Sequence, residues 1–166
     1  MSWERAVVDA FNETGVDTVA YLPDSILDDL VALIEADESI EAIRVSREEE
    51  AVGILAGAWL GGRRGALICQ SSGLANCFNA IGSHVKPAGI PFLGLVTRRG
   101  GLGDHNFAQI PAGYNMPRLL DDMGVRNTSL DGSTDVGSSV ELAIETTFST
   151  ADPYIMLLER ELTGGK

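Results

Sequence analysis

Six short apolar segments recur along this chain, and segments with helical periodicity alternate with them. The apolar segments cover residues 17–22, 41–45, 65–70, 90–96, 125–130 and 154–159. Strands that alternate with helices form parallel sheets, because a helix is the usual crossover between two parallel strands. The sequence therefore predicts an α/β fold, in which a single three-layer domain has a mainly parallel sheet with helices on both faces.

Apolar residues at intervals of three and four positions identify the helices. In the first one, this spacing links Trp3, Val7, Ala10 and Phe11, and Gly15 ends the pattern. Further helices are predicted near residues 26–34, 48–62, 73–84, 115–123 and 135–149. A glycine-rich loop is expected over residues 97–113, and a loop of this length in a compact domain is usually functional or mobile.

The charge balance excludes several classes of partner. The chain has 12 Lys and Arg against 24 Asp and Glu, and its formal net charge is −12. Neutralising phosphates requires a basic face, so no nucleic acid partner is expected, and an anionic membrane would repel the chain. The first residues, MSWERAVVDAF, contain no continuous apolar run. We therefore expect neither a signal peptide nor a membrane span, and a cytoplasmic protein.

The two cysteines are expected to be reduced core residues. Cys69 lies in a predicted strand and Cys77 in a predicted helix, with no His or Cys neighbour at metal-ligand spacing. No other cluster has the carboxylate spacing of an all-protein metal site. No metal ligand is therefore predicted in this chain.

Four motifs fall near the ends of predicted strands. They are YLPDSIL (21–27), EEEAVGILAG (48–57), QSSGLAN (70–76) and RGGLGD (99–104). In parallel sheets, ligands bind beyond the carboxyl ends of the strands. The sequence therefore predicts a ligand site at this edge of the sheet.

In this order, the four motifs resemble those of the thiamine diphosphate (ThDP) dependent sulfopyruvate and phosphonopyruvate decarboxylases. The resemblance covers nearly the whole chain and implies a ThDP pyrimidine-binding domain over residues 1–166. In ThDP enzymes, a glutamate that opens the helix after the second strand contacts the aminopyrimidine ring, and the register selects Glu48. A carboxyl group there stabilises the protonated ring and so assists removal of the thiazolium proton.

The resemblance also assigns roles to residues around Glu48. It implies that the cofactor cleft is lined by Gln70, Ser72, Gly73 and Asn76. It places Asp24 at the substrate end of the cofactor, as a candidate for proton relay or substrate orientation, with Ser25 as a substrate contact.

The same residues have ordinary structural explanations. Acidic side chains in a first helical turn, such as Glu48, Glu49 and Glu50, interact favourably with the helix dipole. Residues 23–25 and 70–73 would serve equally well as turns and N-caps. Periodicity alone is consistent with both explanations, and the resemblance favours a functional role.

The loop after the fourth strand carries the candidate substrate contacts. By resemblance, Arg99 meets an anionic 2-oxo acid with two hydrogen bonds, and His105 of the same loop is a further candidate for substrate contact. His105 and Asn106 depart from the D-E-P-Q-H sequence of phosphonopyruvate decarboxylases. This departure leaves the identity of the substrate open, but does not affect the expected cofactor.

A motif that ThDP enzymes need elsewhere is missing from the sequence. In these enzymes a G-D-G motif, followed later by N-N, holds the Mg²⁺ that binds the diphosphate. The only similar stretch here reads GLGDHN, so this chain is expected to have no diphosphate-binding domain. The resemblance therefore implies a beta-type partner subunit that carries that domain and holds most of the Mg²⁺ coordination.

Together, these features predict the alpha-type subunit of a two-chain ThDP-dependent 2-oxo acid decarboxylase. Split chains are characteristic of the sulfopyruvate decarboxylases, so the expected reaction converts sulfopyruvate to sulfoacetaldehyde and CO₂. The substrate could instead be phosphonopyruvate or another 3-substituted pyruvate. The same fold would also suit a non-catalytic subunit with a regulatory or structural role, or a flavodoxin-like module. A flavodoxin-like or nucleotide-binding module has less support, because no G-x-G-x-x-G sequence follows the first strand.

Overall fold

The computed structural model of this chain describes residues 2–164, and a parallel sheet forms its centre. The strands are β1 (Val16–Tyr21), β2 (Glu41–Arg44), β3 (Arg64–Gln70), β4 (Leu93–Thr97), β5 (Arg126–Leu130) and β6 (Tyr154–Leu158). Their order is β2-β1-β3-β4-β6-β5, and every neighbouring pair is parallel. The six predicted strands are therefore present, and the sheet they form is parallel throughout.

Helices connect the strands. They are α1 (Trp3–Thr14), α2 (Asp28–Glu35), α3 (Glu48–Leu60), α4 (Ser71–Asn76), α5 (Phe78–Ala80), α6 (Lys86–Ala88), α7 (Ile110–Asp122), α8 (Val136–Thr150) and α9 (Arg160–Thr163). A π-helical turn spans Ile81–Val85, and a 3-10 turn spans Phe107–Gln109.

The helices cover both faces of the sheet. Helices α1, α2 and α8 bury their apolar side chains against one face, and α3, α4 and α7 bury theirs against the other. Side chains alternate accordingly along β3, where Ala66 and Ile68 join the first core and Leu67 and Cys69 join the second. The architecture is thus the predicted three-layer domain.

The helix predicted over residues 73–84 differs from the observed structure. It begins at Ser71, is interrupted at Cys77, and continues through the π-helical turn to Ala88. Pro87 explains the wide turn, because proline has no N–H group and its ring clashes with the carbonyl four residues earlier in a regular α-helix. The N–H of Lys86 instead reaches back five residues, to the carbonyl of Ile81.

The expected long loop is shorter than predicted. Helix α7 begins at Ile110 rather than near residue 115, so part of the glycine-rich segment is helical. Pro111 suits the first turn of a helix, where its missing N–H is not needed. Gly113 is buried on this helix because the backbone of Arg99 packs against it: a Cβ atom at Gly113 would lie 2.1 Å from the Arg99 carbonyl oxygen. The glycines of this segment indicated a loop. Gly113 is instead a helical residue, and it is glycine because the backbone of Arg99 packs closely against it.

Both cysteines are free and buried, as expected. Burial raises the pKa of the Cys69 thiol well above its usual value and, with a smaller effect of Glu48, raises the pKa of Cys77 to about 12. Both therefore stay protonated at neutral pH. Across residues 2–164, no helix is long and apolar enough to cross a membrane.

The two apolar cores predict how mutation affects stability. Leu67 is fully buried in β3, whereas Leu60, at the end of α3, is 80% exposed. We expect Leu67→Ala to lower the free energy of unfolding by about 2 to 5 kcal/mol, because it leaves a cavity. The matched change Leu60→Ala should stay within about 0.5 kcal/mol. Urea unfolding of the isolated variants followed by circular dichroism would measure both, and equal losses would contradict the assigned core.

Candidate active site

A polar hollow lies at the carboxyl edge of the sheet. After β1 the chain builds β2 on one side and then returns to place β3 on the other, so the strand order reverses between β1 and β3. Ligands of open α/β sheets bind at such a reversal. The polar hollow is lined by Leu22, Pro23, Asp24, Ser25, Glu48, Gln70, Arg99 and Gln109. Five of the predicted site residues therefore meet here, although they come from four separate segments.

Glu48 is the first residue of α3, and only 9% of its surface is exposed. Its carboxyl group makes no hydrogen bond to any other residue that the structure describes, and it packs directly over Gly73. A Cβ atom at Gly73 would lie 2.1 Å from Oε1 of Glu48. The absence of a side chain at Gly73 therefore makes room for this carboxyl group.

The two neighbouring glutamates have structural partners. Oε2 of Glu50 accepts hydrogen bonds from the backbone N–H groups of Ser46 and Arg47, at 2.9 and 3.3 Å. These bonds cap the start of α3. Glu49 forms an ion pair with Arg47, in which Nη2 lies 2.6 Å from Oε1. Of the three consecutive acids, Glu48 is thus the one that the helix start does not use.

Asp24 is held in position by both carboxylate oxygens. Its Oδ1 accepts a hydrogen bond from the backbone N–H of Ile26 at 2.9 Å, and its Oδ2 accepts one from Oγ1 of Thr97 at 3.2 Å. Thr97 is the last residue of β4 and is buried. The turn after β1 is therefore tied to the end of β4, and Asp24 faces the polar hollow beside the exposed Ser25.

Two glutamine side chains reach the polar hollow without finding a protein partner. The Oε1 atoms of Gln70 and Gln109 are buried, and neither accepts a hydrogen bond in the described part of the chain. A buried acceptor left unpaired costs roughly 1 to 3 kcal/mol, so each such atom calls for an explanation. No sequence motif indicates Gln109, because only the fold brings the 3-10 turn to this edge.

Arg99 is paired with Asp104 within the loop after β4. Nε of Arg99 lies 2.9 Å from Oδ2 of Asp104, and Nη2 lies 3.3 Å from Oδ1. The backbone N–H groups of Gly100 and Asn106 also donate to this carboxylate, at 2.8 and 2.9 Å. These bonds, that of Arg99 first, hold the pKa of Asp104 far below its usual range, and the same pairing raises the pKa of Arg99.

The loop is also anchored to the neighbouring helices. The backbone N–H of Arg99 donates to Oγ of the buried Ser71, at 3.2 Å. Asp104 was not among the predicted site residues. The sequence GGLGD could have indicated it, because its glycines allow a tight loop to close on a carboxylate.

Besides Gly73, which packs against Glu48 but is not part of the lining, three predicted site residues lie outside the polar hollow. Ser72 is half-buried in the first turn of α4, and Asn76 is exposed at the end of that helix. His105 is exposed on the loop. None of the three is among the residues that line the polar hollow.

The residues of the polar hollow fit an aminopyrimidine ring. Glu48 and Gln70 present oxygen atoms without partners among the described residues, and such a ring carries N–H groups that could donate to them. Gly73 leaves a surface with no side chain beside the carboxyl group of Glu48. Between residues 2 and 164, no group of three or more His, Cys, Asp or Glu side chains is placed to hold a metal ion.

Comparison with known proteins agrees with this fit. The model of the family "Thiamine pyrophosphate enzyme, N-terminal TPP binding domain" matches residues 1–116. The chain belongs to this family of thiamine pyrophosphate enzymes and is similar to sulfopyruvate decarboxylase alpha subunits and to phosphonopyruvate decarboxylases. It is 36% identical to the alpha subunit of Methanococcus maripaludis over 159 residues, which cover 96% of this chain and 95% of that subunit.

Two further relatives illustrate the range of the group. The sulfopyruvate decarboxylase alpha subunit of Methanocaldococcus jannaschii is 41% identical over 121 residues, which cover 73% of this chain and 72% of that subunit. A phosphonopyruvate decarboxylase of Streptomyces viridochromogenes is 38% identical over 109 residues, which cover 66% of this chain and 27% of that enzyme.

A solved structure supports the fold. A 2-oxoglutarate:ferredoxin oxidoreductase from Magnetococcus marinus superposes with a TM-score of 0.69. The match covers 98% of this chain and 29% of that one, at 16% sequence identity. At this identity the likeness concerns the fold alone, which agrees with the predicted pyrimidine-domain architecture.

The contact between Gly73 and Glu48 predicts opposite effects at two helical glycines. A methyl group at Gly73 would collide with the Glu48 carboxyl group, whereas Gly53 of α3 has no atom within 4 Å of a Cβ position. We expect Gly73→Ala to destabilise the isolated chain by about 1 to 3 kcal/mol. Gly53→Ala should stabilise it by about 0.4 to 1 kcal/mol, because it restricts the unfolded chain. Chemical denaturation measures both, and tolerance of Gly73→Ala would argue against the contact.

Proposed function

We propose that this chain is the alpha-type subunit of a two-chain ThDP-dependent 2-oxo acid decarboxylase. The observation that carries the proposal is the position of Glu48. Its carboxyl group is nearly buried at the carboxyl edge of the sheet, lacks a protein partner in the described residues, and lies over a glycine. Membership of the thiamine pyrophosphate enzyme family supports the same role.

Bound ThDP would supply the covalent chemistry and the electron sink of the reaction. In this proposal, Glu48 would hold a proton at the pyrimidine ring nitrogen through a hydrogen bond. Its burial strengthens that bond, because the effective dielectric constant is lower than in water. Gly73 leaves space for the Glu48 carboxyl group, and Oε1 of Gln70 would accept a further hydrogen bond from the ligand.

Residues at the other side of the polar hollow would handle the substrate. Asp24 is fixed by two hydrogen bonds, so its carboxyl group is pre-positioned to orient the substrate or to relay a proton. Ser25 adds a hydroxyl group, and Arg99 adds the positive charge that an anionic 2-oxo acid needs.

The assignments of Ser72, Asn76 and His105 stay predictions of the resemblance. All three lie outside the polar hollow, so a ligand would reach them only if it extended beyond the hollow or if the loop moved. We include them in the proposed site on the strength of the motifs alone.

We further propose that a beta-type partner holds the diphosphate and most of the Mg²⁺ coordination. Three observations support this division of labour. Residues 2–164 contain no cluster placed to hold a metal, the sequence lacks the G-D-G and N-N pair, and a relative of similar length is named as an alpha subunit. The single pyrimidine-binding domain over residues 1–166 and a cytoplasmic location complete the proposal.

Sulfopyruvate is the substrate we propose, with sulfoacetaldehyde and CO₂ as products. Three relatives named as sulfopyruvate decarboxylase alpha subunits support it. Phosphonopyruvate is the second candidate, supported by the Streptomyces enzymes of that name. Both are small anionic 2-oxo acids, and Arg99 is the cation that the described residues of the polar hollow offer to such a substrate.

The role of Glu48 predicts a specific loss of activity. Glu48→Gln in the complex with the beta-type partner should lower kcat by about 10² to 10⁴-fold, because a neutral amide cannot stabilise the protonated ring. Glu49→Gln and Glu50→Gln serve as matched controls and should retain most activity, since Glu49 pairs with Arg47 and Glu50 caps the start of α3. Steady-state decarboxylation assays, with circular dichroism to verify folding, would measure this. Comparable losses in all three variants would show that the register is wrong.

The division between two chains predicts weak cofactor binding by this chain alone. The diphosphate and its metal carry the strongest charges of the ligand, so contacts to the pyrimidine alone forgo most of the binding energy. Isothermal titration of the isolated chain with ThDP and Mg²⁺ should show a dissociation constant well above the micromolar range. Addition of a partner bearing G-D-G and N-N should produce tight binding. Micromolar affinity without a partner would contradict the divided site.

A further inference from the structure

The pairing with Asp104 limits what Arg99 offers to a ligand. Asp104 occupies Nε and Nη2 of the guanidinium, whereas Nη1 donates to no other residue in the described part of the chain. Arginine binds an anion best through two parallel N–H groups on one edge of the guanidinium. One such edge, that of Nε and Nη2, is already used by Asp104, so the edge that remains for a ligand is that of Nη1 and Nη2.

Asp104 is held in the position where it pairs with Arg99. Its side chain is only 8% exposed, and it accepts hydrogen bonds from the backbone of Gly100 and Asn106 as well as from Arg99. Its strongly lowered pKa means that it keeps its negative charge throughout the neutral range. The positive charge of Arg99 is therefore largely compensated before any substrate arrives.

The balance of charge around the polar hollow disfavours a highly charged ligand. Glu48 and Asp24 line the hollow, and Asp104 lies directly behind Arg99, so three carboxyl groups surround one guanidinium. Arg99 is the only cation among the lining residues that the structure describes. Each additional negative charge on a substrate would therefore meet more repulsion than attraction.

We propose that Asp104 determines substrate specificity by restricting the site to a distal group with a single negative charge. A sulfonate meets this condition, whereas a phosphoryl-type group carries about −1.5 to −2 charges at pH 7. Asp104 does not touch the substrate and acts through Arg99, so it is a positioning residue. This inference rests on the proposed function, and it concerns the choice between the two candidate substrates.

The test compares two substrates in the complex with the beta-type partner. The measured quantity is kcat/KM for sulfopyruvate divided by kcat/KM for phosphonopyruvate. The wild-type complex should favour sulfopyruvate, and Asp104→Asn should lower the ratio by about tenfold or more, because it frees the charge of Arg99. A purely structural role of Asp104 would lower both values by the same factor and leave the ratio unchanged.

Two further variants separate charge from folding. Asp104→Glu keeps the negative charge, so it should preserve the ratio even if both KM values rise. Glu159→Gln is the matched control, because Glu159 forms the neighbouring ion pair with Arg98, at 2.8 Å from Nη1 to Oε1 and with similar burial. It should leave the ratio unchanged.

The possible outcomes are distinct. A wild-type complex that uses both substrates equally, or prefers phosphonopyruvate, overturns the inference without any variant. An unchanged ratio in a folded Asp104→Asn complex overturns it too, and turnover of sulfopyruvate in that experiment leaves the proposed function intact. A complex that binds ThDP but consumes neither substrate overturns the proposed function and the inference together.

Discussion

All six strands run in the same direction, and this constraint decides where the polar residues of the chain meet. In a parallel sheet every strand ends at the same edge, so each segment that follows a strand begins there. The turn after β1, the start of α3, the end of β3 and the loop after β4 therefore converge on the polar hollow. The apolar cores on both faces of the sheet hold this arrangement.

Close contacts at glycine residues then position the side chains at this edge of the sheet. Gly73 lets Glu48 lie against the start of α4, and Gly113 lets the backbone of Arg99 pack against α7. At both positions a methyl group would collide with its neighbour. A further contact of this kind involves Gly100, whose φ of 82° is a conformation that suits glycine, and whose Cβ would lie 2.8 Å from Cα of Ile110. Backbone packing thus positions the two side chains of opposite charge that we propose contact the ligand.

The two charged side chains that we propose contact the ligand differ in whether they already have a protein partner. The carboxyl group of Glu48 lacks a partner among the described residues, whereas the guanidinium of Arg99 already has one in Asp104. An unpaired buried acceptor binds a donor-bearing ligand at little cost, because no protein hydrogen bond has to break. A compensated cation, by contrast, attracts anions weakly and so discriminates among them by charge. The two halves of the proposed site therefore differ in purpose, one suited to hold the cofactor and the other to select the substrate.

The sequence by itself determined the fold class, the six strands and the order of the motifs, because periodicity and turn residues are local properties. It also selected Glu48, Asp24, Gln70 and Arg99 through their motifs. It could not show that Glu49 and Glu50 are used by the start of α3. It placed the start of α7 too late, because it took Gly113 for a loop residue. Only the tertiary structure brought Gln109 to the hollow and paired Arg99 with Asp104, since both depend on contacts that the loop makes with distant elements.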